Sequence, residues 1–186
     1  MTLNATEPGP QRGRLENGFK ALLWILPVLL AGLNWLLAGP LPSLLMLAGG
    51  LLAAALPTFY WRRRRQNGAV PVVSSMALAA QIALLTMTTL PLHPEGLQLY
   101  QDMHFWFFAG LCLCACWLDR RAVLGFFSVA ILYQLAAYWL LANFWFAAKD
   151  DVAPQFVRLG MFVAAAAALF LLTSRWGASR YRQRNA

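Results

Sequence analysis

The chain has 186 residues, of which 60% are hydrophobic and 12% charged, with a formal net charge of +8. A soluble domain carries about 25% charged residues, so there is too little polar surface here to wrap a water-soluble core. The apolar residues fall instead into runs of about 17–22, the length that spans a hydrocarbon layer of ~30 Å as a helix, and the sequence reads as a single all-α, polytopic membrane helix bundle.

Residues 1–17, MTLNATEPGPQRGRLEN, are polar and rich in Pro and Gly and read as a mobile tail with room for order at its end. The six-helix domain is expected over 18–176, with a basic tail over 177–186. The first span covers 20–37; it follows a polar segment and lacks a small-x-small cleavage site, so it is expected to be a retained anchor. AGPLPS, 38–43, makes a tight connection into the second span, 42–60, which ends at WRRRRQ, 61–66. The third span covers 70–90, and PLHPEGLQLYQ leads into the fourth, 101–118. A turn containing Asp119, Arg120 and Arg121 opens the fifth span, 122–143. FAAKDDVAP then leads to the sixth, 155–174.

Six spans put both termini on one side of the membrane, and the basic residues choose which. With the N-terminus in the cytoplasm, the inner segments hold Arg12, Arg14, Lys20, Arg62, Arg63, Arg64, Arg65, Arg120, Arg121, Arg175, Arg180, Arg182 and Arg184. Of the fifteen basic residues only Lys149 and Arg158 then fall outside, as the positive-inside rule requires. The expected protein is therefore a multi-pass protein of a bacterial inner membrane, N-in and C-in. Its positive charge is explained by topology and by attraction to anionic lipid headgroups at Arg62 to Arg65, Arg120 and Arg121, so no nucleic-acid partner is expected.

Ionisable or polar groups inside apolar spans are the candidate functional residues, because burying them in lipid is costly. In GLQLYQDMHFWFF, 96–108, Asp102 sits where a carboxylate complements a helix N-terminus, and His104 lies one turn from the outer end. Gln81, Tyr133, Gln134 and Asn143 can form interhelical hydrogen bonds or line a small cavity. Cys112 and Cys116 share one helical face and Cys114 faces the other way, a pattern of small packing residues and not of a metal site. Small residues in AGGLLAAA, 48–55, and in the alanine run 164–168 allow close helix contact, within the chain or with a partner helix. No Walker loop, HExxH, GxSxG or paired-carboxylate pattern is present, and the chain is not expected to be an enzyme.

The fourth and fifth spans, from His104-Phe105 through Trp117-Leu118-Asp119-Arg120-Arg121 to Tyr133-Gln134, resemble the six-helix sensor region of some bacterial methyl-accepting chemotaxis proteins and diguanylate cyclases. The resemblance extends over residues 20–174 and is distinctive over 102–145. In that group a histidine followed by aromatics opens one helix, a Tyr-x-Asp-Trp-Arg-like turn closes it, and a histidine pair lies in the next. Here Tyr133-Gln134 stands where the pair would be, and the last helix carries no histidine near Leu159 or Gly160. The resemblance implies a six-helix scaffold with one histidine kept, and no methyl-accepting bundle or cyclase domain is expected after the sixth span.

Two functional expectations follow. The first is an accessory subunit of a larger inner-membrane complex, respiratory or photosynthetic for example, meeting other membrane subunits through Trp106, Phe144, Trp145 and Phe146 and needing no cofactor. The second is a small-ligand or haem sensor with His104, Tyr133, Gln134 and Tyr100 lining an outward pocket, signalling through a separate cytoplasmic protein; there a haem or other pigment is the expected cofactor.

Overall fold

An apolar segment in hydrocarbon must satisfy its backbone N–H and C=O groups internally, and a helix does this within one stretch of chain. The computed structural model describes residues 10–63, 69–88, 105–117, 119–144 and 152–184, and these are helical apart from short turns. In order they form α1 (Pro10–Ala38), α2 (Pro40–Arg63), α3 (Val70–Thr88), α4 (Phe105–Ala115), α5 (Arg120–Phe144) and α6 (Val152–Arg184). No strand occurs among the described residues. Four segments, Glu16–Leu36, Pro40–Arg62, Val70–Thr88 and Arg120–Ala137, are long and apolar enough to cross a membrane, and Phe105–Ala115 and Leu159–Arg175 are shorter apolar helices. The described residues thus form an all-helical bundle with the length and apolarity of a membrane protein in four of its helices.

Two helices run further than the apolar runs suggest. α1 begins at Pro10, inside the expected tail; a proline in the first turn gives up an N–H that has no helical acceptor anyway. α6 continues to Arg184 through most of the expected basic tail, where arginine, alanine and glutamine are good helix formers and no proline stops the chain.

The connections are short and made by specific residues. Gly39 alone joins α1 to α2, with φ at 91°, a left-handed conformation that a side chain would strain. Pro40 then opens α2, and the backbone N–H and hydroxyl of Ser43 both donate to the Gly39 carbonyl, at 3.4 and 2.7 Å. At the other end of the bundle Asp119 caps α5: its Oδ1 accepts the Arg121 N–H at 2.9 Å and its carbonyl accepts the Ala122 N–H at 3.0 Å.

α3 is the centre of the bundle. It packs on α1, α2, α4 and α5, and more than half of its circumference is buried, from Val70 and Ser74 to Leu85 and Thr86, with Met76 and Met87 exposed on the remaining face. α6 lies to one side and packs on α4 and α5. Close approach depends on missing side chains: a Cβ at Gly50 would meet the Pro27 ring at 2.7 Å, and one at Gly110 would meet Ile82 and Phe126 at 2.7 Å. Phe19 near the start of α1 lies 5.1 Å, ring to ring, from Trp117 just after α4, and Lys20 lies over Trp61 near the end of α2. The start of α1 thus shares one end of the bundle with the ends of α2 and α4.

Candidate functional site

The buried polar side chains gather on α3, at Ser74, Ser75, Gln81 and Thr86, with Asn34 on α1, Ser43 on α2 and Thr173 on α6. Pro27 has no N–H, so the carbonyl of Leu23, four residues earlier in α1, loses its helical donor. Gln81, fully buried on α3, supplies the replacement: its Nε2 donates to the Leu23 carbonyl at 2.9 Å and to the Gly50 carbonyl of α2 at 3.1 Å. One amide therefore ties three helices together at the proline. Its Oε1 is buried with no hydrogen-bond partner. Asn34, further along α1, is also fully buried, and neither its Oδ1 nor its Nδ2 has a hydrogen-bond partner. Ser75 and Thr86 turn their hydroxyls back onto the α3 carbonyls of Pro71 and Ile82. The buried Cys114 thiol of α4 meets Ser75, while Cys112 and Cys116 face outward, the split expected from helical spacing.

Of the residues singled out for a ligand, Tyr133 belongs to an aromatic cluster. Tyr133 on α5 stacks on Phe107 of α4, with centroids 5.5 Å apart and planes at 23°. Phe107 in turn meets Phe126 and Phe162 edge-on, and Phe127 stacks on Phe162 at 5.6 Å. Rings from α4, α5 and α6 fill this space, and Tyr133 acts within it as a packing residue. Gln134 is half-buried beside it. His104, Asp102 and Tyr100 lie outside the described residues, so the cluster and the histidine are not seen together. Among the described residues, no three His, Cys, Asp or Glu side chains come together as a metal site.

Of the expected contact residues, Trp106 is exposed on the first turn of α4. Phe144 closes α5, while Trp145 and Phe146 lie outside the described residues. Arg62, Arg120 and Arg121 are exposed; Arg63 ends α2, and Arg64 and Arg65 lie outside the described residues. The two small-residue runs separate. Gly49 and Gly50 face inward, against Leu84 and Pro27. The alanine run turns mostly outward, with Ala166 buried and Ala164, Ala167 and Ala168 exposed.

Sequence reasoning missed how that run continues. Gly160, Ala164 and Ala168 recur every fourth residue and are all exposed, so α6 carries a smooth outer strip. A Cβ at Gly160 would meet nothing within 4 Å. The signal was the GxxxAxxxA spacing, which lets helix backbones approach in lipid. A second unfilled surface is an apolar groove of about 440 Å³ between α1 and α2, lined by Val28, Ala31, Trp35, Leu44 and Leu47 with Ser43 at its side.

No protein-family model, curated protein or solved structure matches this chain.

Proposed function

We propose that this is a non-enzymatic accessory subunit of a larger bacterial inner-membrane complex, with six spanning helices and both termini in the cytoplasm, acting by helix-to-helix contact. The observation that carries the reading is the outer strip of α6. Gly160, Ala164 and Ala168 are exposed on a helix that, among the described residues, packs only on α4 and α5. Small residues at four-residue spacing favour a second helix there, because close packing drives association where lipid is as apolar as the side chains. The interior supports the same reading, since Gln81 is spent on joining helices and Tyr133 on packing.

Capture of the tagged chain from native membranes in mild detergent tests this. The wild type is expected to bring down other membrane subunits, and Gly160→Ile with Ala164→Ile is expected to lose them while keeping the melting temperature of the isolated chain. A chain that always runs alone sinks the proposal.

A second reading, a small-ligand or haem sensor working through a separate cytoplasmic partner, draws on one observation. Tyr133 stacks on Phe107, which follows His104 by three residues. A visible absorption band in the purified protein that disappears with His104→Ala would favour it, and a colourless protein indifferent to that substitution would remove it.

A further inference from the structure

The end of the bundle shared by α1, α2 and α4 holds two indole N–H groups with nothing to donate to. Trp61 is 5% exposed, and its Nε1 is buried without a hydrogen-bond partner; the same holds for Nε1 of the half-buried Trp117. An indole nitrogen can only donate, and a buried donor left unmade costs the full desolvation of that group. Both rings flank one point on α1: Phe19 packs against Trp117 at 5.1 Å, and the ammonium of the next residue, Lys20, lies 4.5 Å above the Trp61 ring. Arg62 follows Trp61 directly, and Arg120 and Arg121 come three and four residues after Trp117; all three are exposed. Asp119, the acid between them, already spends Oδ1 on the Arg121 N–H.

We propose that this cluster, Lys20, Trp61, Arg62 and Trp117 with Arg120 and Arg121 at its rim, is a site for the phosphodiester headgroup of an anionic phospholipid. The missing partner must accept hydrogen bonds and carry negative charge, and it must reach the end of a membrane helix. A lipid phosphodiester meets all three requirements, and its oxygens form short, strong bonds with charged donors. Both nitrogens are closed to water, so the flexible Lys20 side chain moves off the Trp61 ring and onto the phosphate when the lipid binds. A choline headgroup carries the same phosphate but also a cation that Lys20 and Arg62 repel, so the site separates anionic from zwitterionic lipids. The inference rests on the membrane reading and not on the accessory role, and lipid binding by the isolated chain is measured without any partner complex.

The test is native mass spectrometry of the full chain in detergent, titrated with phosphatidylglycerol or phosphatidylcholine. Phosphatidylglycerol is expected to bind about tenfold more tightly. Trp61→Phe with Trp117→Phe, which keeps the rings and removes both N–H groups, is expected to weaken phosphatidylglycerol about tenfold. Lys20→Gln with Arg62→Gln is expected to bring the two lipids close to equal. Equal binding of both lipids by the wild type, or undiminished phosphatidylglycerol binding in either pair, overturns the proposal. Displacement of the lipid by excess inorganic phosphate overturns the lipid assignment in favour of a free-phosphate site. Should the tryptophan pair fail to fold, as its melting curve will show, the Lys20 and Arg62 pair decides alone.

Discussion

Leu23 lacks a helical donor because of Pro27, and Gln81 fills the gap from another helix. Gln81→Leu should therefore destabilise the bundle by about 1–2 kcal/mol, measured by reversible unfolding in mixed detergent. In a Pro27→Ala background, where the alanine restores the N–H, the same substitution should cost about 1 kcal/mol less; equal costs in both backgrounds would show that the two residues are not coupled. Asn34 is the opposite case, a buried amide that bonds to nothing. Asn34→Leu should stabilise the fold by about 1–2 kcal/mol, and a loss of stability would mean the amide meets a ligand or partner in the membrane. Gln81 could be recognised in the sequence as a polar residue inside a span, and Pro27 as a defect in another. That one repairs the other, across 58 positions, depends on which helices lie side by side, and no local pattern encodes that.

At the scale of elements, hydrophobic run length located the helices well, because a spanning segment is selected for continuous apolarity. The ends were less legible, since α1 and α6 extend through polar residues that run length alone does not count as helix. Asp119 shows what a short motif can carry: a carboxylate between two helices, next to two arginines, reads as a local ion pair or as a cap, and it caps α5. Glycines are harder to interpret, because the same residue serves contact or clearance depending on its neighbour. Gly110→Ala should cost about 1–3 kcal/mol, since Ile82 and Phe126, which the new Cβ would meet, are both buried and cannot yield. Gly160→Ala, with nothing within 4 Å, should leave the isolated chain unchanged. Parallel melting curves of the two variants check the contrast, and equal losses would contradict it.

Across the whole molecule, the bundle is built around α3, with α1 and α2 on one flank and α4, α5 and α6 on the other. Lys20, Arg62, Arg120 and Arg121, gathered at the shared end, are among the basic residues on which the proposed cytoplasmic orientation rests. A fluorescent protein fused after Ala186 should therefore fold and shine, while a periplasm-dependent phosphatase at the same place should be inactive; the reverse pattern would invert the topology. The candidate ligand site was only partly legible. Of its proposed residues, Tyr133 packs in the aromatic core and His104 lies outside the described residues. Charge and hydropathy bear on where residues lie along the membrane normal, whereas a ligand site depends on lateral neighbours.

The repair at Pro27 also bears on biosynthesis. The ribosome delivers α1 to the membrane long before it has made Gln81, and through that interval the Leu23 carbonyl faces lipid with no donor in its own helix. α1 is thus an unfinished segment until α3 arrives, and nascent chains halted between the two should be the ones most dependent on the insertion machinery and most exposed to membrane proteases.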